Sequence, residues 1–219
     1  MDWRLWQLLD SAFPIGGFAH SGGLEAAHQH RLVNDADELT AFIERRWHDA
    51  AHGPLVFARC AFDGDAPIAE LDDACDAFTT NAIANRASRR LGRGLIAVAE
   101  RGFATPAIID IERDVRTHDR PGHLPVMFGA VTAELGVPLD TALAAYLFVD
   151  ARAVFSAAIR LNVVGPIDAQ ARLAALQERV PELVTLSQTI ALDEIAASSP
   201  LLDLVWGQHD RLYSKLFQS

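Results

Sequence analysis

Over most of this chain the apolar residues return at steps of three and four, and nowhere do they alternate in twos. Leu39, Phe42, Ile43, Trp47 and Ala50 fall on one helical face; Leu143, Tyr146, Leu147, Val154, Ala158 and Leu161 fall on another. Stripes of that period bury as amphipathic helices. No segment holds a period of two, and no Asn-Gly or Asp-Gly hairpin stands between β-branched runs. The fold class is therefore all-α.

Glycine and proline punctuate the pattern. Pro54, Pro166 and Pro181 stand where helices begin, a position that suits a residue with fixed φ and no N–H. Asp35 and Glu38 have capping-box spacing, and Gly136 is placed as a C-cap. These marks predict about ten helices joined by short loops. They lie in one domain over 1–219 whose tail, 199–219, begins at the Ser198-Ser199-Pro200 break. Only Pro106 to Val115 is ambiguous, because Ile108, Ile109 and Ile111 suit a strand as well as a helix.

Half of the 219 residues are hydrophobic, so a large core is available. The formal net charge of −10 argues against a nucleic-acid partner. Cys60 and Cys75 form no C-x-x-C pair, so reduced thiols are expected. Met1-Asp2-Trp3-Arg4 does not open a signal peptide, and no run of eighteen apolar residues suggests a membrane span. A cytoplasmic protein without membrane contact is the expectation.

The stretch from Leu8 to Glu25 is unlike the rest. Four glycines and Pro14 are interleaved with Phe13, Ile15, Phe18 and Leu24. A solvated loop carries few large apolar groups, so this is a partly buried connector. Pro14, Gly17 and Gly23 set its turns, with Gly17 expected in a conformation that β-branched residues avoid. Trp3 and Trp6 just before it predict a buried dimer surface, or support for the tail.

Three constellations bear on chemistry. His48 and His52, one helical turn apart, could grip a metal with Asp49 as the acid, which makes a zinc-dependent hydrolase the alternative function. Both fall opposite Ile43 and Ala50, on the face expected to meet water, and no third ligand is evident. Arg86, Arg89, Arg90 and Arg93 lie on one face of the next long amphipathic segment, opposite Ala87, Leu91 and Leu95. Such a stripe is either a solvated face with local carboxylates or a dock for an acidic partner. In the tail, Leu212, Tyr213, Leu216 and Phe217 make a compact apolar edge if the segment is helical. His28 and His30 are too close in sequence to share a ligand on a helix. Nothing in the spacing assembles a nucleophile with a base, and there is no P-loop or dinucleotide fingerprint. No cofactor and no metal site are expected. A helical scaffold is the remaining reading.

The string Leu8-Leu9-Asp10-Ser11 through Pro14, then Gly17-Phe18-Ala19-His20-Ser21-x-Gly23-Leu24-Glu25, resembles the opening signature of the UreF family of urease accessory proteins. Arg86-Ala87-Ser88 with Gly92-Arg93, His123-x-Pro-Val-x-Phe-Gly129, Ser156-Ala157-Ala158 with Arg160-Leu161-Asn162, and His209-x-x-x-Tyr213-Ser214-Lys215-Leu216-Phe217-x-Ser219 are similar to later family segments. Asn85 stands where the family usually has Glu. Gly165-Pro166 and Ser199-Pro200-Leu201-Leu202-Asp203 are closer to its plant-type branch. The resemblance implies an all-α homodimer with no enzymatic activity, a chaperone for nickel insertion into apo-urease. The implied partners are a UreH/UreD-type accessory protein, a UreG-type GTPase that it regulates, and apo-urease. The implied contact residues are Phe18, His20, Ser21, Glu25, the four arginines, His209, Tyr213, Leu216 and Phe217.

Overall fold

The computed structural model describes residues 3–219; Met1 and Asp2, on which part of the leader reading rests, lie outside the described residues. Among the described residues there is no strand. The helices in chain order are α1 (Trp3–Leu9), α2 (Leu24–Gln29), α3 (Ala36–His52), α4 (Pro54–Asp63), α5 (Ile68–Phe78), α6 (Ala82–Gly102), α7 (Pro106–Thr117), α8 (Leu124–Glu134), α9 (Leu139–Arg160), α10 (Pro166–Leu176), α11 (Val180–Thr189) and α12 (Pro200–Trp206). The stretch that fitted strand or helix is α7. Thr105 settles the choice locally, its hydroxyl accepting the Ile108 N–H as an N-cap.

Two apolar clusters divide the interior. One joins Leu24 and Ala27 of α2 to Leu39, Ile43 and Trp47 of α3, the inner face of α9, and Leu183 and Val184 of α11. The other joins Leu8 and Phe13 to Phe57 of α4, Leu71 and Cys75 of α5, Leu95 and Ile96 of α6, Ile108 of α7, and Val126, Met127, Phe128 and Val131 of α8. Tyr146 of α9 touches both.

By length and composition α9 is apolar enough to cross a membrane, although Asp150 and Arg152 interrupt its apolar run. Here it is the central helix. It packs against α2, α3, α4, α8, α10 and α11, and a helix apolar on several sides is one that is surrounded. Close helix approach depends on two glycines. A Cβ at Gly129 of α8 would lie 2.0 Å from the Ala58 carbonyl oxygen of α4, and one at Gly92 of α6 would lie 2.1 Å from the Gly122 carbonyl oxygen.

Caps match the sequence marks with one change. The Asp35 carboxylate accepts the Asp37 and Glu38 N–H groups, but Glu38 reaches back to the Asn34 N–H rather than to that of Asp35. At the other end of the chain, the tail is not a helix with an apolar edge. After α12 it makes one 3₁₀ turn, His209–Arg211, and then runs irregularly. Phe217 points in and Tyr213 points out.

Candidate partner-docking site

The connector is built as a cradle. Gly16, Gly22 and Gly23 take positive φ, whereas Gly17 does not, which corrects the assignment of the special backbone to Gly17. A side chain at Gly23 (φ +87°) would also press Trp206 at 3.0 Å. Pro14 is exposed and Gly23 is buried. Arg46 of α3 holds the turn from below, donating to the Gly22 carbonyl at 2.7 Å, pairing with Asp150 of α9 and lying 5.1 Å from the Trp206 ring centre. Burial opposes its charge, but Asp150 outweighs this and holds the guanidinium more firmly protonated than usual.

Into this cradle the tail folds as a strap. Glu25, only 2% exposed, is its anchor. The Glu25 carboxylate accepts the His209 Nε2–H at 3.1 Å, the Leu216 N–H at 2.6 Å and the Phe217 N–H at 3.2 Å. A buried carboxylate needs such donors, and one that gathers three from a distant segment fixes that segment in place. The chain end then lies along the connector. Gln218 N–H donates to the Ala19 carbonyl, and the Ser219 carbonyl accepts both the N–H and the hydroxyl of Ser21. His20 Nδ1 is 2.6 Å from the Ser219 hydroxyl.

The arginine stripe meets the same strap. Arg86 grips both Asp210 carboxylate oxygens at 3.0 Å, and Arg90 reaches the Gln218 side chain. Arg89 lies 4.0 Å from Asp76. Arg93 turns away to bind the Arg120 and Pro121 carbonyls and the Asp119 carboxylate, so it fastens the loop before α8. Three of the four arginines thus meet carboxylates on a partly exposed face, the first of the two readings, and Arg90 meets Gln218. Arg160 of α9 stacks over Phe217 at 4.2 Å and Phe18 at 5.6 Å.

What remains outward is an apolar ridge. Phe18, Tyr213 and Leu216 are all exposed, while His20, Ser21, Glu25, His209 and Phe217 lie beneath them. The sequence marks that flagged both chain ends thus fall on one surface. It is backed by a cleft of about 530 Å³ that Arg46, Tyr146, Ser88 and Trp206 help to line. Trp3 and Trp6 of α1 are exposed as well, at 75% and 52%, so this chain alone leaves most of their surface uncovered.

A serine, a histidine and an aspartate do come together, contrary to the expectation from spacing. Ser88 of α6 lies 3.0 Å from His123 Nδ1, and His123 Nε2 lies 3.0 Å from Asp76 of α5. The Ser88 oxygen also accepts the Leu124 N–H, and Asp72 accepts the Gly122 and His123 N–H groups at 2.7 Å each. Asn85, where the family usually has Glu, donates to Asp76. The hydrogen bonds from His123 and Asn85 hold the Asp76 carboxyl below the usual carboxylate range. These bonds tie α5 and α6 to the start of α8 as a clamp.

The histidine pair of α3 is more loosely held, with His48 Nδ1 3.4 Å from the Ser198 hydroxyl, which donates to Asp49. His52 Nδ1–H donates to the His48 carbonyl at 2.8 Å, and the two rings lie 4.6 Å apart. Asp49 accepts from Ser198 and Ser199, pinning the start of α12. Among the described residues no three His, Cys, Asp or Glu side chains gather closely enough to hold a metal, so the zinc-hydrolase alternative lacks its site. Cys60 and Cys75 are buried and unpaired. Burial pushes the Cys60 thiol up to about 11 and that of Cys75 higher still, so neither is a thiolate at neutral pH.

Fold and site together define a class: an all-α protein whose most elaborated surface is a strapped junction between its two chain ends. Residues 33–177 match the UreF family, and the chain belongs to that family. It is 39% identical over 229 residues to urease accessory protein F of Arabidopsis thaliana, with 100% of this chain and 93% of that protein aligned. Urease accessory protein F of Oryza sativa subsp. indica is 36% identical over 224 residues, covering 98% and 84% of the two chains. Urease accessory protein UreF of Arthrobacter sp. (strain FB24) is 31% identical over 219 residues, covering 98% and 96%. The strap falls outside the segment matched to the family. The alignment with the Arabidopsis protein, which takes in all of this chain, includes it.

Proposed function

We propose that this protein is a non-enzymatic urease accessory protein, required for nickel insertion into apo-urease. It works in the cytoplasm as a homodimer. It joins a UreH/UreD-type accessory protein to a UreG-type GTPase and regulates the GTPase, which supplies the nucleotide chemistry for which this chain has no motif. The observation that carries the reading is the strapped surface. A buried carboxylate and a buried imidazole order a chain end, yet three large apolar side chains beside it remain in water. An ordered, exposed apolar ridge is how a protein presents itself to another. The ridge of Phe18, Tyr213 and Leu216 is assigned to the UreH/UreD-type partner. The basic rim of Arg86, Arg89 and Arg90 is assigned to an acidic face in the same assembly.

Co-purification tests the assignment. Tagged protein is expressed with a UreH/UreD-type and a UreG-type partner, and compared with Tyr213→Ser/Leu216→Ser. Wild type should retain both partners, and the double variant should lose the UreH/UreD-type one with its helix content unchanged. Equal recovery of that partner would overturn the assignment of the ridge.

A further inference from the structure

We propose that the strap is an acid-released clasp: a neutral His20 holds it shut near neutral pH, and protonation of that ring opens it while the helical body stays folded. The argument begins with position. His20 is 8% exposed and its Nδ1 meets the Ser219 hydroxyl, so the ring is sealed only when the strap lies over it.

The groups around the junction leave no place for a second positive charge. From α6, Arg90 reaches into the junction to Gln218. From the 3₁₀ turn, His209 is fully buried, and its Nδ1 has no hydrogen-bond partner. From α2 comes the Glu25 carboxylate, but its oxygens already accept from His209, Leu216 and Phe217. Asp210 is held by Arg86 of α6 and faces Lys215. Arg160 of α9 covers Phe217. A proton added to His20 therefore sits among cations, with the nearby carboxylates already engaged.

The direction of the effect is fixed by linkage. Burial, then Arg90, then His209 lower the pKa of docked His20 below its ordinary 6.5. With the strap away, the ring regains water and titrates nearer its ordinary value. The open form thus binds a proton more tightly than the closed one. Closure is fully favoured above about pH 6.5 and weakens as the pH falls from there toward the docked pKa. The switch acts on the strap because four backbone N–H groups, those of Ser21, Leu216, Phe217 and Gln218, cross the junction. The helices beneath hold themselves by other bonds.

Hydrogen–deuterium exchange of the full chain between pH 5.5 and 8, corrected for intrinsic rates, reads those amides directly. Their opening constant should rise as the pH falls below the ordinary histidine value, by at most about tenfold per pH unit and levelling off below the docked pKa, as one bound proton requires. Val131 in α8 should show no such trend. His20→Gln, which cannot titrate, should flatten the dependence. Protection that is independent of pH in wild type, or an equal slope in His20→Gln, would overturn the proposal. Should His20→Gln leave the strap open at every pH, the imidazole of the wild-type protein decides by NMR titration. A midpoint clearly below 6.5 supports the clasp, and one at or above it sinks the idea.

Discussion

Glu25→Ala is the perturbation that isolates the strap. Without Glu25, the gains from docking are the burial of Phe217, about 2 kcal/mol, and four hydrogen bonds between the connector and Gln218–Ser219, about 1 kcal/mol each. The exposed Arg86–Asp210 pair adds about 0.5 kcal/mol. Together these give about 6.5 kcal/mol. Ordering the backbone of Lys215 to Ser219 costs about 1–2 kcal/mol per residue, or roughly 5–10 kcal/mol. The two sides nearly cancel, so the three donors on Glu25 supply the surplus that keeps the strap closed. In Glu25→Ala the strap leaves, and its N–H groups turn to water rather than stay buried and unsatisfied. A shift of about 2–4 kcal/mol corresponds to roughly 30–1000-fold in the open population. Trypsin supplies the assay, since Arg211 and Lys215 lie within the segment. Cleavage there, followed by mass spectrometry, should accelerate by at least about 30-fold, with helix content by circular dichroism unchanged. Wild-type protection in the variant would refute the role given to Glu25. Loss of helicity would show that the strap belongs to the body rather than closing over it.

Three further outcomes follow from the packing. Gly129→Ala should cost at least about 2 kcal/mol in denaturant unfolding, because its methyl group meets the Ala58 carbonyl and outweighs the gain in helix propensity. Gly17→Val should be nearly neutral in thermal melts, whereas Gly23→Val, at positive φ against Trp206, should lose about 1–3 kcal/mol. Arg86→Glu should speed tryptic cleavage of the strap, and adding Asp210→Arg should restore protection; the absence of rescue would mean that the pair does not hold the strap.

The helices were legible because each carries its own local record. Pro54, Pro166 and Asp35 mark starts by backbone chemistry, and the apolar faces of α3, α6 and α9 follow a period that any solvent boundary would demand. The site was legible in its membership but not in its arrangement. Glu25 and His209 stand at opposite ends of the chain, and no spacing rule couples residues that far apart. The same distance hid the Ser88–His123–Asp76 clamp, whose members lie on α5, α6 and the start of α8. The arginine stripe was correct as a face, but Asp210, which occupies Arg86, comes from a segment whose path is irregular and therefore leaves no periodic trace. Arg46 gave no signal at all. It reads as one more charged residue on α3, and only the fold reveals that it joins the connector to α9.

The proposed function requires that this chain help urease to acquire nickel. The direct measurement is the nickel content of urease purified from cells that carry all the other accessory proteins but no UreF-type protein of their own, with and without this chain supplied. Metal-loaded, active urease is expected when the wild-type chain is present, and metal-poor urease without it. Urease that stays equally metal-poor in the presence of the folded wild-type protein and its partners would contradict the proposed function.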